Sequence, residues 1–177
     1  MEKAIATGAA FGQDAVALLT ADHDRVKKLF KQFEKMKGGD ADEKTDLVRR
    51  VCAELTIHAQ IEEEIIYPSI RDVIDDDDLM DEAEVEHASA KELIAQLEIM
   101  DPNDVLFDAK VTVLGEYVNH HVEEEENQMF PKVKRAKIDL LAIGAEVYQR
   151  KQELMAGVNT APAEPHSDHQ RRTFQDT

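Results

Sequence analysis

Four stretches of this chain carry apolar residues at alternating steps of three and four, and each stripe is broken near its middle by a histidine. In the first, Val16, Leu19, His23, Val26, Phe30 and Phe33 share one helical face. The second stripe is Leu47, Val51, Leu55, His58, Glu62 and Ile65, and the third is Met80, Ala83, His87, Ala90, Ile94 and Leu97. The fourth is Phe107, Val111, Leu114, Val118, His121, Glu125 and Met129. Steps of three and four return to one side of a helix, the side that it buries against its neighbours. The chain is thus expected to build helices whose buried faces must accommodate four imidazoles and two carboxylates.

An isolated ionised carboxylate in a dry core is very unfavourable, and a neutral polar group left unpaired still costs about 2–7 kcal/mol. A bound cation supplies the missing partner. The i, i+4 spacing of His58/Glu62 and of His121/Glu125 lets both members of each pair reach one centre from a single helix. Packed helices lie about 8–10 Å apart, so donors from four of them can converge on a common axis. A metal-free explanation has to account for the same coincidence four times.

Breakers divide the chain. Gly38-Gly39-Asp40 ends the first pattern, which begins near Gln13, and the second runs from about Asp42 to Tyr67. Pro68 then starts a short continuation or kinks the helix. Asp75–Asp78 reads as a solvated link, followed by a third pattern from Leu79 to Met100. Asp104 is the expected N-cap of the fourth, which reaches Phe130 before Pro131. A weaker fifth pattern covers Lys132 to about Leu154 and contains Gly144. The expected fold is all-α: an antiparallel up-and-down four-helix bundle over 13–134, a C-terminal helical extension over 135–155, and a disordered tail over 156–177.

The halves of the bundle repeat. His58-Ala59-Gln60-Ile61-Glu62, ending in Tyr67-Pro68, returns 63 positions later as His121-Val122-Glu123-Glu124-Glu125, ending in Phe130-Pro131. Asp22-His23 with Lys27 is echoed by Glu86-His87 with Lys91. Two related helical hairpins are expected around an approximate two-fold axis.

His23, His58-x3-Glu62, His87 and His121-x3-Glu125, with the Tyr67-Pro68 and Phe130-Pro131 endings, resemble the hemerythrin-like, or HHE cation-binding, domain family. The resemblance covers roughly Asp14 to Lys134. It implies a centre of two non-haem iron ions with a bridging oxo or hydroxo group. In that scheme His23, His58, His87 and His121 are the iron-binding histidines, and Glu62 and Glu125 are bridging carboxylates. The ferritin-like di-iron pattern, Glu-x-x-His on two helices and a lone Glu on the other two, is absent. One departure stands out. Oxygen-carrying hemerythrins have a second histidine four residues after the first on the third helix, where this chain has Lys91. Counting the implied ligands then leaves each iron five, with one position open, unless Glu63 or another side chain supplies a sixth.

Other polar residues have blander readings. His120 adjoins His121 but sits about 100° around the helix, which makes it a peripheral or surface residue, with a His120/Glu124 register as the alternative. Glu123–Glu126 reads as a solvated face apart from Glu125. Tyr67 and Phe130 read as packing residues, Cys52 as inert core, and His166 and His169 as solvent-exposed tail.

The 177 residues carry 21 Lys+Arg against 38 Asp+Glu, a formal charge of −17. That balance argues against nucleic acid and anionic membrane surfaces as partners. A single cysteine excludes an intrachain disulfide and a Cys-rich metal site, and no apolar run is long enough to span a bilayer. Met1–Gly12 reads as a short lead-in rather than a signal peptide, so a cytoplasmic location is expected. The functional expectation is a non-haem di-iron protein that binds or senses oxygen or a related small molecule such as peroxide or nitric oxide. The alternatives are an enzyme of peroxide or nitric oxide detoxification or of ferrous-iron oxidation, and an iron-storage or regulatory module.

Overall fold

A computed structural model describes residues 12–160 of the chain, and every regular element among them is helical. Helix α1 (Ala15–Met36) starts where the Asp14 carboxylate accepts the Ala17 amide at 2.8 Å. It ends at Gly38, which takes the left-handed φ of 75° that glycine tolerates. Asp40 caps α2 (Ala41–Ile61) by accepting the Asp42 and Glu43 amides. One wide π-helical turn, Glu62–Ile66, then passes into α3 (Tyr67–Ile74), with Pro68 in its first turn.

The acidic run is not a link. Asp75 is left-handed and Asp76 accepts the Leu79 amide, so Asp77 and Asp78 form the first turn of α4 (Asp77–Ile99). Carboxylates there face the positive end of the helix dipole, which outweighs their low intrinsic helix propensity. The expected cap at Asp104 also moves. Its side chain accepts the Leu106 amide within a loop turn, and α5 (Phe107–Glu124) begins at Phe107. A second π-helical turn, Glu125–Met129, leads into α6 (Phe130–Arg135). Asp139 accepts the Ala142 amide and opens α7 (Leu140–Thr160), so the fifth pattern breaks after Arg135 and extends beyond Leu154. The lead-in up to residue 11 and the tail from residue 161, including His166 and His169, lie outside the described residues.

Helix α1 packs on α2 and α4 on α5, and the two pairs meet through α1 with α5 and α2 with α4. Two apolar clusters sandwich a polar layer. One holds Leu19, Ile61, Ile70, Met80 and Met129, the other Phe33, Val51, Phe107, Val111 and Leu114. Along α1 and α4 the first cluster precedes the histidine; along α2 and α5 the second one does. The order reverses from helix to helix, so all four histidines fall at one level. Helix α7 lies over α1, α2 and the first π-turn. A Cβ at Gly144 would stand 2.4 Å from the Gln13 carbonyl oxygen, and this glycine therefore sets how closely α7 approaches the start of α1.

Candidate metal centre

His23, His58, Glu62, His87, His121 and Glu125 are all buried in the polar layer. Donor atoms of His23, His58, Glu62 and Glu125 lie within 4.8 Å of one another, and those of Glu62, His87 and His121 form a second such group. The carboxylate of Glu62 belongs to both. Its Oε1 lies 3.2 Å from His58 Nε2 and its Oε2 lies 3.3 Å from His87 Nε2. Glu125 Oε2 lies 3.1 Å from His23 Nε2 and 3.7 Å from His121 Nε2. The histidines thus divide by hairpin, two and two, with the carboxylates between them.

These contacts are close but misaligned. His23 Nε2, both ring nitrogens of His58, both oxygens of Glu62 and Glu125 Oε2 are buried without a hydrogen-bond partner. Native interiors leave few such atoms unpaired, and each one needs a physical reason. Here the unpartnered atoms of the two carboxylates and the imidazoles crowd together within 4.8 Å, where a cation would supply the missing partner. Across the second group His87 Nε2 and His121 Nε2 face each other at 3.2 Å. Imidazole nitrogen with carboxylate oxygen is a donor set suited to iron, zinc or manganese, and the residues present therefore fit a pair of such ions.

An outer ring of carboxylates orients the rings. His23 Nδ1 is 2.9 Å from Glu126, His87 Nδ1 is 3.0 Å from Glu63, and His121 Nδ1 is 2.8 Å from Glu86. His58 Nδ1 lies 3.8 Å from Asp22. A carboxylate beyond Nδ1 holds the proton there in the neutral ring and turns the Nε2 lone pair toward a metal. The pattern obeys the repeat: Asp22 answers to Glu86, and Glu63 to Glu126. So do the lysines. Lys27 reaches Glu126 and Lys91 reaches Glu63. Lys91, at the position of the absent histidine, steadies the carboxylate behind His87. Glu63, considered from sequence as a sixth ligand, is thereby engaged on the outer side of His87.

The charge balance is internal. Burial disfavours a protonated His58, but Glu62 and Asp22 outweigh it and raise its pKa to about 10. His121 is raised to about 9 against the same burial penalty, chiefly by Glu86, Glu125 and Glu62. Glu62 in turn is held well below the ordinary carboxylate range despite its burial, by His58 and His87. Protons on His58 and His121 offset the buried carboxylates until a cation replaces them.

Tyr67 is more than a packing residue. Its hydroxyl donates to Glu125 Oε1 at 3.3 Å and lies 3.4 Å from His87 Nε2. Burial, then the charges of Glu62 and Glu125, push the phenol well above its usual pKa, so it stays a proton donor. Its repeat counterpart Phe130 stacks on His23 with ring centroids 5.7 Å apart. A hydroxyl therefore faces the centre at this position in one half and not in the other. Glu126 also departs from expectation, since it is half-buried and holds His23 rather than lining a solvated face. His120 lies outside the centre and is 65% exposed.

The family model for the hemerythrin HHE cation-binding domain matches residues 14–133. The chain belongs to that family. The crystal structure of a hemerythrin HHE cation-binding domain-containing protein from Mycobacterium kansasii has a similar fold, with a TM-score of 0.70 at 20% identity over 83% of this chain and 90% of that one. A DNA nickase from Nostoc sp. is 28% identical over 122 residues, covering 69% of this chain and 33% of the relative. The chain therefore spans about a third of that protein's length. Family membership makes the domain a cation-binding one, and the His/Glu groups are compatible with that.

Proposed function

We propose that this HHE domain holds two non-haem iron ions, one between His23 and His58 and one between His87 and His121, with Glu62 and Glu125 shared, and that it binds or senses oxygen or a related small molecule. The observation that carries the reading is the convergence of buried histidine and glutamate donors in one polar layer, six of whose atoms have no hydrogen-bond partner. We take residues 13–134 as the metal-binding unit, with α7 as an extension packed on it.

When bound, such a pair of ions would supply redox activity. The chain supplies the rest. Glu63, Glu86 and Glu126 hold the rings of His87, His121 and His23, Asp22 sets a negative charge beside His58, and the two apolar clusters exclude bulk water. A cavity of about 40 Å³ adjoins the four histidines; Val26, Leu55, Ala90, Ile94, Val118 and Val122 make its apolar wall, and Asp22, Glu86 and Lys91 also border it. A water molecule occupies about 30 Å³ of liquid, so the space suits a molecule of two or a few atoms. Its apolar wall favours a neutral diatomic over a charged metabolite. The Tyr67 hydroxyl, held at Glu125, favours a second reading: a buried proton donor beside the centre is what an enzyme reducing peroxide or nitric oxide needs.

We infer no nucleic-acid role from the resemblance to a DNA nickase, because the formal charge of −17 opposes a phosphate backbone. Among the described residues no helix is long and apolar enough to cross a membrane, and a cytoplasmic location remains our expectation. The test is the optical spectrum of iron-loaded protein with oxygen, azide and peroxide. Spectral change that reverses on removing oxygen supports the binding reading, turnover of peroxide or nitric oxide supports the enzyme, and no response to any of them refutes both.

A further inference from the structure

Among the described residues, one more group of donors meets outside the buried centre. Glu86 of α4 and His120 and Glu124 of α5 each offer an atom within 4.8 Å of the other two. His120 Nε2 lies 3.5 Å from Glu86 Oε1 and 3.7 Å from Glu124 Oε1. His120 and Glu124 stand four residues apart, so both project from one side of the helix. They edge a surface groove that Asp78, Asp81 and Glu82 also line.

The repeat makes this group unusual. The positions 63 residues before His120 and Glu124 are Ile57 and Ile61, both buried in the cluster to which α7 contributes Val147. The counterpart of Glu86 is Asp22, whose charge is taken by Lys151 of α7 and by Arg25. In the second hairpin no lysine or arginine pairs with Glu86 or Glu124 among the described residues; His120 takes their place. One hairpin thus carries an apolar face whose acid is paired with lysine and arginine, and the other carries an imidazole between two carboxylates that no lysine or arginine pairs with among the described residues. Glu86 is divided between two environments, with Oε2 at His121 Nδ1 and Oε1 at His120.

We propose that Glu86, His120 and Glu124 form an outer binding site for a divalent transition-metal ion, joined to the buried centre through the Glu86 carboxylate. One imidazole with two carboxylates selects zinc, ferrous iron or manganese over calcium or magnesium, which prefer oxygen alone. Three protein donors leave positions for water, so the ion is exchangeable. The groove's carboxylates raise the local cation concentration around it. An ion here is separated from the ring of His121 by a single carboxylate.

The test uses the full chain, first loaded with iron, then dialysed against zinc and analysed for both metals. Wild type is expected to take up one zinc per chain beyond its iron. His120→Ala and Glu124→Gln should each weaken that zinc at least tenfold with iron content unchanged. A His166→Ala/His169→Ala variant should keep it. Equal zinc uptake by wild type and His120→Ala, no uptake by wild type, or loss only in the His166/His169 variant would each overturn the proposal. A chain that binds no iron but still takes up zinc through His120 would keep the outer site and remove the di-iron reading.

Discussion

Replacing Lys151 by Met removes a cation from a carboxylate that has little water to turn to. Asp22 is 5% exposed and is held by Lys151 of α7 and by Arg25 at 2.9 Å, with His58 Nδ1 at 3.8 Å. Stripping a buried charge of its only partner costs about 3–5 kcal/mol. Arg25 remains, so the expected loss is about 1–3 kcal/mol, the range for a buried polar group deprived of one hydrogen bond. For a chain of this size that lowers the melting temperature by several degrees. The assay is urea unfolding of metal-free wild type, Lys151→Met, Asp22→Asn and the double variant. Burial raises the pKa of Asp22, but His58 and Lys151 outweigh it and hold it at about 2, below the ordinary 3.8. The stabilisation is therefore present above pH 3.8 and is lost as the pH falls toward 2. The gap between wild type and Lys151→Met should be full at pH 7 and shrink over that acidic window. Single-variant effects that add within about 0.5 kcal/mol would show that the two residues are not coupled, and the link from α7 to the centre would be wrong.

Four further outcomes are expected. Loading the centre should stabilise the fold by about 2.7 kcal/mol at a hundredfold excess of metal over its dissociation constant, and equal melting temperatures with and without metal would contradict a core site. Because His58 and His121 are raised to about 10 and about 9, loading at pH 7 should release protons and affinity should rise with pH; calorimetry in buffers of different ionisation enthalpy detects this, and buffer-independent heats would contradict it. His121→Ala and Glu125→Ala should lose buried metal while His120→Ala and Glu124→Ala keep it, and the opposite result would mean that α5 is rotated by one position. Finally, burial and the nearby Glu98 push the Cys52 thiol up to about 12, so its labelling at pH 8 should follow global unfolding, and rapid labelling of native protein would show that the α2 packing is open.

The buried faces were legible because burial acts on every turn of a long helix, and Val111, Leu114 and Val118 between them fix the angle at which His121 and Glu125 enter the core. The repeat fixed the same pair independently, by aligning them with His58 and Glu62. Boundaries were harder. Asp75–Asp78 has the composition of a link, yet one cap and a favourable dipole turn it into a helix start. The π-turns at Glu62 and Glu125 leave no signature, since one extra residue per turn barely disturbs a stripe interrupted by a polar pair. The outer carboxylates could have been found. Asp22-His23 and Glu86-His87 repeat as pairs with Lys27 and Lys91, and only the crossed pairing, Glu126 to His23 and Glu63 to His87, needed three dimensions. The Tyr67 hydroxyl was hidden because an aromatic at the end of a helix stripe packs the same way with or without its oxygen.

The most direct measurement is a crystal structure of iron-loaded protein phased on the anomalous scattering of its metal. Two peaks are predicted in the polar layer, about 3.5–4 Å apart as in other two-metal sites, one between His23 and His58, the other between His87 and His121, with Glu62 and Glu125 spanning both. A single ion in that layer, or metal found only at surface carboxylates, would contradict the account.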